Sequence, residues 1–191
     1  MEMKNTGSRL VEAEEIIKLP SFRKNRGPDC DYFIFPYPAG DELSVREWLR
    51  YMERKYSGVS EDYKITVFDL YDIVTDILKT KGYLDKCREF ERAKGYDRIV
   101  KAVGNTLRLT SSDSLIIGYI KEHTEENSVI FLSGIGKCYP LVRSHTVLNN
   151  LHQVIDSVPV VMFYPGRYED GEFILFGEIK DDNYYRASIL C

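Results

Sequence analysis

Residues 64–79 read KITVFDLYDIVTDILK, and this stretch decides the fold. Ile65 to Phe68 form a β-branched and aromatic run, the composition of a strand. Asp69 follows where a helix needs a side-chain oxygen for its first unsatisfied amides. Leu70, Ile73, Val74, Ile77 and Leu78 then recur at helical spacing, and Asp72 adds a negative charge that suits the helix dipole. A strand running directly into an amphipathic helix is half of a βαβ unit, which predicts a parallel sheet clothed by helices.

Outward from this unit the same alternation recurs. DYFIFPYPAG (31–40) predicts a buried strand at 32–36 ended by prolines, which cannot donate to a sheet. A helix follows, with Ser44 and Glu47 at capping-box spacing and Val45, Trp48, Leu49, Met52 and Tyr56 on one stripe. SVIFLSG predicts a strand at 128–133, PVVMFYPG another at 158–164, and a helix from Val142 to Ile155 lies between them. Upstream, Ser8 is placed to cap a short helix carrying Leu10, Ala13 and Ile17, stopped by Pro20. The basic stretch SFRKNRGPD (21–29) reads as a loop. Residues of about 84–125 read as a charged helical insertion whose charges form a solvated face. FILFG and NYYRASIL close the chain as an antiparallel pair joined around Lys180-Asp181-Asp182. The expectation is a single α/β domain over 1–191: three-layer, Rossmann-like, with a mainly parallel sheet, helices on both faces and a C-terminal antiparallel strand pair.

Composition bounds the function. With 43% hydrophobic and 13% aromatic residues, 191 residues suffice for a real core. The net charge of −4 argues against autonomous binding of duplex DNA, whose affinity rests on phosphate contacts. Direct DNA contact through Arg23, Lys24 and Arg26 is a weaker expectation. The sequence has neither an apolar run long enough to span a membrane nor a secretion-signal core at its start. Cys30, Cys87, Cys138 and Cys191 are widely separated and make no CxxC pair, so they read as reduced thiols in a cytoplasmic protein.

Ser133-Gly134-Ile135-Gly136-Lys137-Cys138 imitates a phosphate-binding loop and fails its requirements. The pattern G-x-x-x-x-G-K-[ST] needs glycine at Phe131 and a hydroxyl at Cys138 for Mg²⁺. A degenerate P-loop-like nucleotide-binding protein or phosphoryl-transfer enzyme, supported by Gly136-Lys137 and Asp69, is thus the alternative rather than the leading expectation. The favoured reading is a strand turning tightly through two glycines, with Asp69 as a helix cap. Among the three histidines, His145 and His152 are seven apart, unlike the three- or four-residue spacing of helical metal pairs, and read as structural hydrogen-bonders. No nucleophile elbow or Ser-His-Asp order appears. Catalytic, metal and cofactor-binding residues are therefore expected to be none.

A binding surface is better supported. Arg143, Thr146, Asn149 and Asn150 occupy a polar helix side, and adjacent asparagines are costly there unless they cap a loop or meet a partner. Tyr164, Arg167 and Tyr168, with Tyr184, Tyr185 and Arg186, add residue types enriched at interface hot spots, although tyrosine is also common on sheets. SVIFLSGIGKCYPLVRSHTVLNNLH, PVVMFYPGRYEDGEFILFGEI and DDNYYRASIL resemble the BrxB family of BREX phage-defence systems. YFIFPYPAGDELSVREWL and ITVFDLYDIVTDILK extend the resemblance over the chain from about residue 8. The most specific strings are RSHTVLNNLH and the FYPGRY plus NYYRA pair, with Arg143, His145, Asn149, Asn150, Gly166 and Arg167 matching in place. Lys137 falls at a variable point of the family pattern and inherits no role. The resemblance implies a non-enzymatic core or adaptor protein. Its expected partners are a phosphatase-like PglZ-type protein, and also a BrxC-type ATPase, an adenine-specific methyltransferase or a second copy of itself. DNA would be met only indirectly. The candidate partner-binding residues are Arg143, His145, Asn149, Asn150, Arg167, Tyr168, Tyr184, Tyr185 and Arg186.

Overall fold

Asn5, not Ser8, starts the first helix: its side-chain oxygen accepts from the Ser8 amide at 2.8 Å. The computed structural model describes residues 5–23, 32–58, 62–111, 113–181 and 185–191. Helix α1 (Thr6–Lys18) buries Leu10, Ala13 and Ile17, and Pro20 ends it while opening the short helix α2 (Pro20–Arg23). Proline suits a first helical position because its missing amide would be unsatisfied there anyway.

Strand β1 (Tyr32–Tyr37) leads through a 3₁₀ turn (Ala39–Asp41) into α3 (Glu42–Lys55). The Ser44–Glu47 capping box does not form, since the helix begins two residues earlier. That turn feeds α3 directly, and the Glu42 carboxylate accepts from the Tyr37 hydroxyl (2.5 Å) and from Arg46 (2.7 Å). Val45, Leu49 and Met52 are buried as the stripe predicts, and Trp48 stacks on Phe131 with ring centroids 5.9 Å apart.

Strand β2 (Lys64–Asp69) passes into α4 (Leu70–Thr80), and Asp69 is its cap, accepting from the amides of Tyr71 (3.0 Å) and Asp72 (3.3 Å). Helices α5 (Leu84–Lys94), α6 (Tyr96–Leu107) and α7 (Leu115–Glu122) follow. α6 buries Ile99, Val103 and Leu107, and α7 buries Ile116, Ile117 and Ile120; α5 buries nothing fully and carries its charges in solvent. Strand β3 (Ser128–Ser133), the single turn α8 (Ile135–Cys138), α9 (Ser144–Leu151) and β4 (Val160–Glu169) come next. The helix expected over Val142–Ile155 is thus shorter: Arg143 is extended (ψ 132°) at its N-cap position.

The sheet order is β2-β3-β4-β1-β7, with β7 at Ser188–Ile189, and every neighbouring pair on this path is parallel. Alternation along the strands fills two cores. Val129, Phe131, Val161, Phe163, Phe35 and Ile65 meet α1 and α3 on one face. Ile130, Leu132, Val160, Met162 and Ile34 meet α4, α6, α7 and α9 on the other. The result is the three-layer, Rossmann-like arrangement expected.

The chain end corrects the strand-pairing expectation. Strand β5 (Glu172–Leu175) pairs antiparallel with the outer half of β4 and with β6 (Ile179–Asp181), whereas Ser188–Ile189 joins β1 in parallel. FILFG therefore does not pair with NYYRASIL. The cause lies in β4, which runs through Pro165 instead of stopping there. Tyr164 and Pro165 still register with β1, and from Gly166 onward the strand registers with β5. A side chain at Gly166 would collide with the Ile174 carbonyl, so glycine is what lets β5 approach. The outer edge of β2 is covered as well: the Ile65 amide donates to the Tyr56 carbonyl (2.8 Å) and the Val67 amide to the Glu53 carboxylate (3.3 Å).

Candidate functional site at the carboxyl end of the sheet

In open α/β sheets ligands dock beyond the carboxyl ends of the strands. Here β2 ends in Asp69 and β3 in Ser133, which are in register, and Gly134 follows with φ 77° and ψ 12°. That left-handed conformation favours glycine, and a Cβ at Gly134 would collide with the Asp69 carboxylate. The turn α8 then brings Lys137 back onto Asp69 in an ion pair, with Asp72 3.8 Å from the same ammonium. The Lys137 ammonium also lies 5.5 Å from the Tyr71 ring centre. Gly136 is packed too, because a Cβ there would come within 2.7 Å of Phe176. Cys138 is fully buried, and burial, followed by the charge of Asp69, pushes its thiol up to about 12. The loop that imitates a phosphate cradle is therefore filled by its own side chains, with its lysine committed to a carboxylate of the fold.

Beside this junction a cleft opens between the 135–144 segment and the β4–β5–β6 ribbon. Buried Tyr164 and Leu175 form its floor, half-buried Tyr139 and Ile179 its walls, and exposed Arg143 and Lys180 its rim. Ser144 also lines it, and its hydroxyl lies 2.5 Å from that of Tyr185, both residues being buried. Tyr185 in turn packs on Phe173 (4.7 Å between centroids) and meets His145 edge-on at 6.3 Å. His152 stacks on Tyr32 at 3.6 Å and its Nε2 lies 2.5 Å from the Arg186 carbonyl. Both histidines thus hold the segment that carries the chain from the ribbon to β7.

The structure divides the sequence-predicted residues by what they touch. Arg143 and Tyr185 come together around the cleft through Ser144, with His145 packed against Tyr185. Asn150 donates to the Leu109 carbonyl (3.0 Å), pinning the loop after α6, while the side-chain oxygen of neighbouring Asn149 is buried with no hydrogen-bond partner. Arg167 and Tyr168 lie exposed on the ribbon; Arg167 pairs with Glu169 (2.9 Å) and donates to the Gly177 carbonyl (2.9 Å). Arg186 is exposed, and Tyr184 lies outside the described residues. Of the basic loop, Arg23 covers the Tyr63 ring at 4.0 Å, and Lys24 and Arg26 lie outside the described residues. Tyr164, read from the sequence as part of a binding surface, is instead buried at the cleft floor, and sequence reasoning missed Tyr139, Leu175 and Lys180, because the cleft depends on β4 bending away at Gly166. Among the described residues no three His, Cys, Asp or Glu side chains gather as metal ligands, and no helix is long and apolar enough to cross a membrane.

A parallel sheet with helices on both faces, a glycine turn sealed by an internal ion pair and an arginine-rimmed cleft alongside define a Rossmann-like α/β protein. The family described as BREX protein BrxB matches residues 66–190. The chain is 46% identical over 187 residues to a BREX protein BrxB of Bacillus cereus (strain H3081.97), covering 97% of each. It is 29% identical over 181 residues to a BREX protein BrxB of Escherichia coli O9:H4 (strain HS), covering 94% of this chain and 88% of that one. The chain belongs to the BrxB family. No solved structure matches it significantly.

Proposed function

We propose that this chain is a non-enzymatic adaptor of a BREX phage-defence complex that binds the phosphatase-like PglZ-type component and aids assembly. Family membership supports the defence role. The observation that carries the adaptor reading is the sealed turn at Gly134. The position where a parallel sheet would offer a phosphate cradle holds the Asp69–Lys137 pair, and Cys138 stands in place of a hydroxyl. Arginine and tyrosine are instead gathered at the cleft and ribbon, where a protein surface can use them. A cytoplasmic location and indirect access to DNA go with this role.

Co-elution of the purified chain with the phosphatase-like protein on a sizing column tests the proposal, and separate elution at micromolar concentrations counts against it. Arg143→Ala and Arg167→Ala should weaken that association more than they lower Tm. The second reading, a degenerate P-loop-like nucleotide-binding protein or phosphoryl-transfer enzyme, draws on Gly136-Lys137 and Asp69 at the carboxyl end of the sheet. Calorimetry with ATP, GTP and Mg²⁺ decides it: heat abolished by Lys137→Ala would favour it.

A further inference from the structure

Residues 79–101 run against the charge of the chain around them. They hold eight Lys and Arg against four Asp and Glu, in a sequence whose net charge is −4. All eight cations are exposed, from the end of α4 to the middle of α6. Among the described residues only Arg88 of the eight is ion-paired, with Asp85 at 3.4 Å. Elsewhere Lys18, Arg46, Lys55, Lys64, Lys137 and Arg167 all meet carboxylates. Lys79, Arg92 and Lys94 lie in last turns, where a cation suits the helix dipole. Lys86 and Arg98 do not: each is the third residue of its helix, where the dipole opposes a cation. Helix stability therefore does not account for them.

The same surface is aromatic. Tyr83, Lys86, Phe90 and Lys94 recur at spacings of three and four, which places them on one side of α5. Tyr83 and Phe90 are 40% and 38% exposed, and the Lys86 ammonium lies 5.4 Å from the Tyr83 ring centre. Leu84 and Cys87 pack against the core, so α5 is seated by one edge while its aromatic and basic side stays bare. Helical spacing puts Arg98 and Lys101 on the side of α6 opposite buried Ile99, Val103 and Leu107.

We infer that the α5–α6 pair, joined at Gly95, is a docking surface for an acidic face of a protein partner. Apolar groups of that face cover Tyr83 and Phe90, and its carboxylates pair with Lys86, Lys94, Arg98 and Lys101. Charge complementarity selects an anionic occupant, drawn by a local field that the acidic chain as a whole does not share. The arrangement selects protein over nucleic acid. Asp85, Glu89, Glu91 and Asp97 lie exposed among the cations and would repel a run of phosphates, whereas a folded partner can set apolar groups or cations opposite them. Bare aromatic rings bordered by charge have the make-up of an interface core and its rim. The inference rests on the adaptor reading, to which it adds a contact face and its chemistry.

A fluorescently labelled random glutamate–tyrosine copolymer serves as the probe, titrated with the full chain at about 150 mM salt and followed by anisotropy. Wild type should bind it. A variant combining Lys86→Glu and Arg98→Glu should bind about tenfold or more weakly. Phe90→Ser should bind about threefold more weakly, with helical circular dichroism retained in both variants. A control combining Arg54→Glu and Lys121→Glu, exposed cations of α3 and α7, should bind as wild type does. No binding by wild type, undiminished binding by the Lys86→Glu and Arg98→Glu variant, or indifference to Phe90→Ser overturns the inference. Tighter binding of a duplex DNA, lost in the same charge-reversed variant, also overturns it and assigns the face to nucleic acid. Co-elution with the phosphatase-like protein is scored separately. If the copolymer binds through these residues and wild type does not co-elute, the adaptor assignment falls and the docking face stands. If wild type co-elutes and the copolymer results fail, the docking face falls and the adaptor stands.

Discussion

Asp69 and Lys137, from the carboxyl ends of two adjacent parallel strands, form an ion pair that also fixes a helix cap. One carboxylate accepts from two α4 amides and holds the ammonium of the turn after β3. The side chains of both residues are largely covered, so their coupling is screened less than that of a surface pair.

Asp69→Asn should therefore keep most of the cap and lose only the charge, whereas Asp69→Ala loses both. We expect Asp69→Ala to cost about 1–2 kcal/mol by urea denaturation and Asp69→Asn distinctly less. Equal losses would show that the ion pair, not the cap, is what Asp69 supplies.

Gly134→Ala meets two penalties at once, a left-handed backbone and a collision with the Asp69 carboxylate. The expected cost is about 1–3 kcal/mol, with Tm falling by roughly 2–4 °C for every kcal/mol lost. Combined with Asp69→Ala, which clears the space, the penalty at Gly134 should shrink in a double-mutant cycle.

The bond between the buried Ser144 and Tyr185 hydroxyls makes a different prediction. Tyr185→Phe strands the buried Ser144 hydroxyl and should cost about 1–3 kcal/mol, while Ser144→Ala breaks the same bond from the other side. The double variant should cost less than the sum of the singles. Full additivity in denaturant titrations would mean that the two hydroxyls do not depend on each other.

Cys138 should be chemically silent in the folded protein. Its thiol, pushed up to about 12 by burial, stays almost wholly protonated at pH 8, and the thiolate is the reactive form. Iodoacetamide at pH 8 should label the half-buried Cys191 in the native chain and Cys138 only after unfolding, as read by mass spectrometry. Labelling of native Cys138 at a rate comparable to Cys191 would contradict its burial.

Much of this was legible in the letters. The strands near 32–36, 64–69 and 128–133 and the Asp69 cap follow from runs of β-branched residues and one well-placed oxygen, signals confined to a few neighbours. The family was legible too, because RSHTVLNNLH and FYPGRY are long strings. The start of α3 was not, because the Tyr37–Glu42 contact draws Glu42 to the strand end, and Ser44 offers a competing local signal. The ends of α9 were missed because Arg143 and the turns after Leu151 keep an apolar rhythm while leaving the helix. The ribbon was missed for a plainer reason: Pro165-Gly166 reads as a stop, whereas glycine at that point is what admits a second strand. The cleft depends on that ribbon, so Leu175 and Lys180 could not be grouped with Tyr164 from spacing alone.

The covering of β2 bears on how copies of this chain meet. A bare outer strand invites a twin strand from another molecule, and repeated indefinitely such pairing ends in fibres. With the Ile65 and Val67 amides already taken by Tyr56 and Glu53, that flank is a poor template. Open-ended polymerisation along it is therefore discouraged.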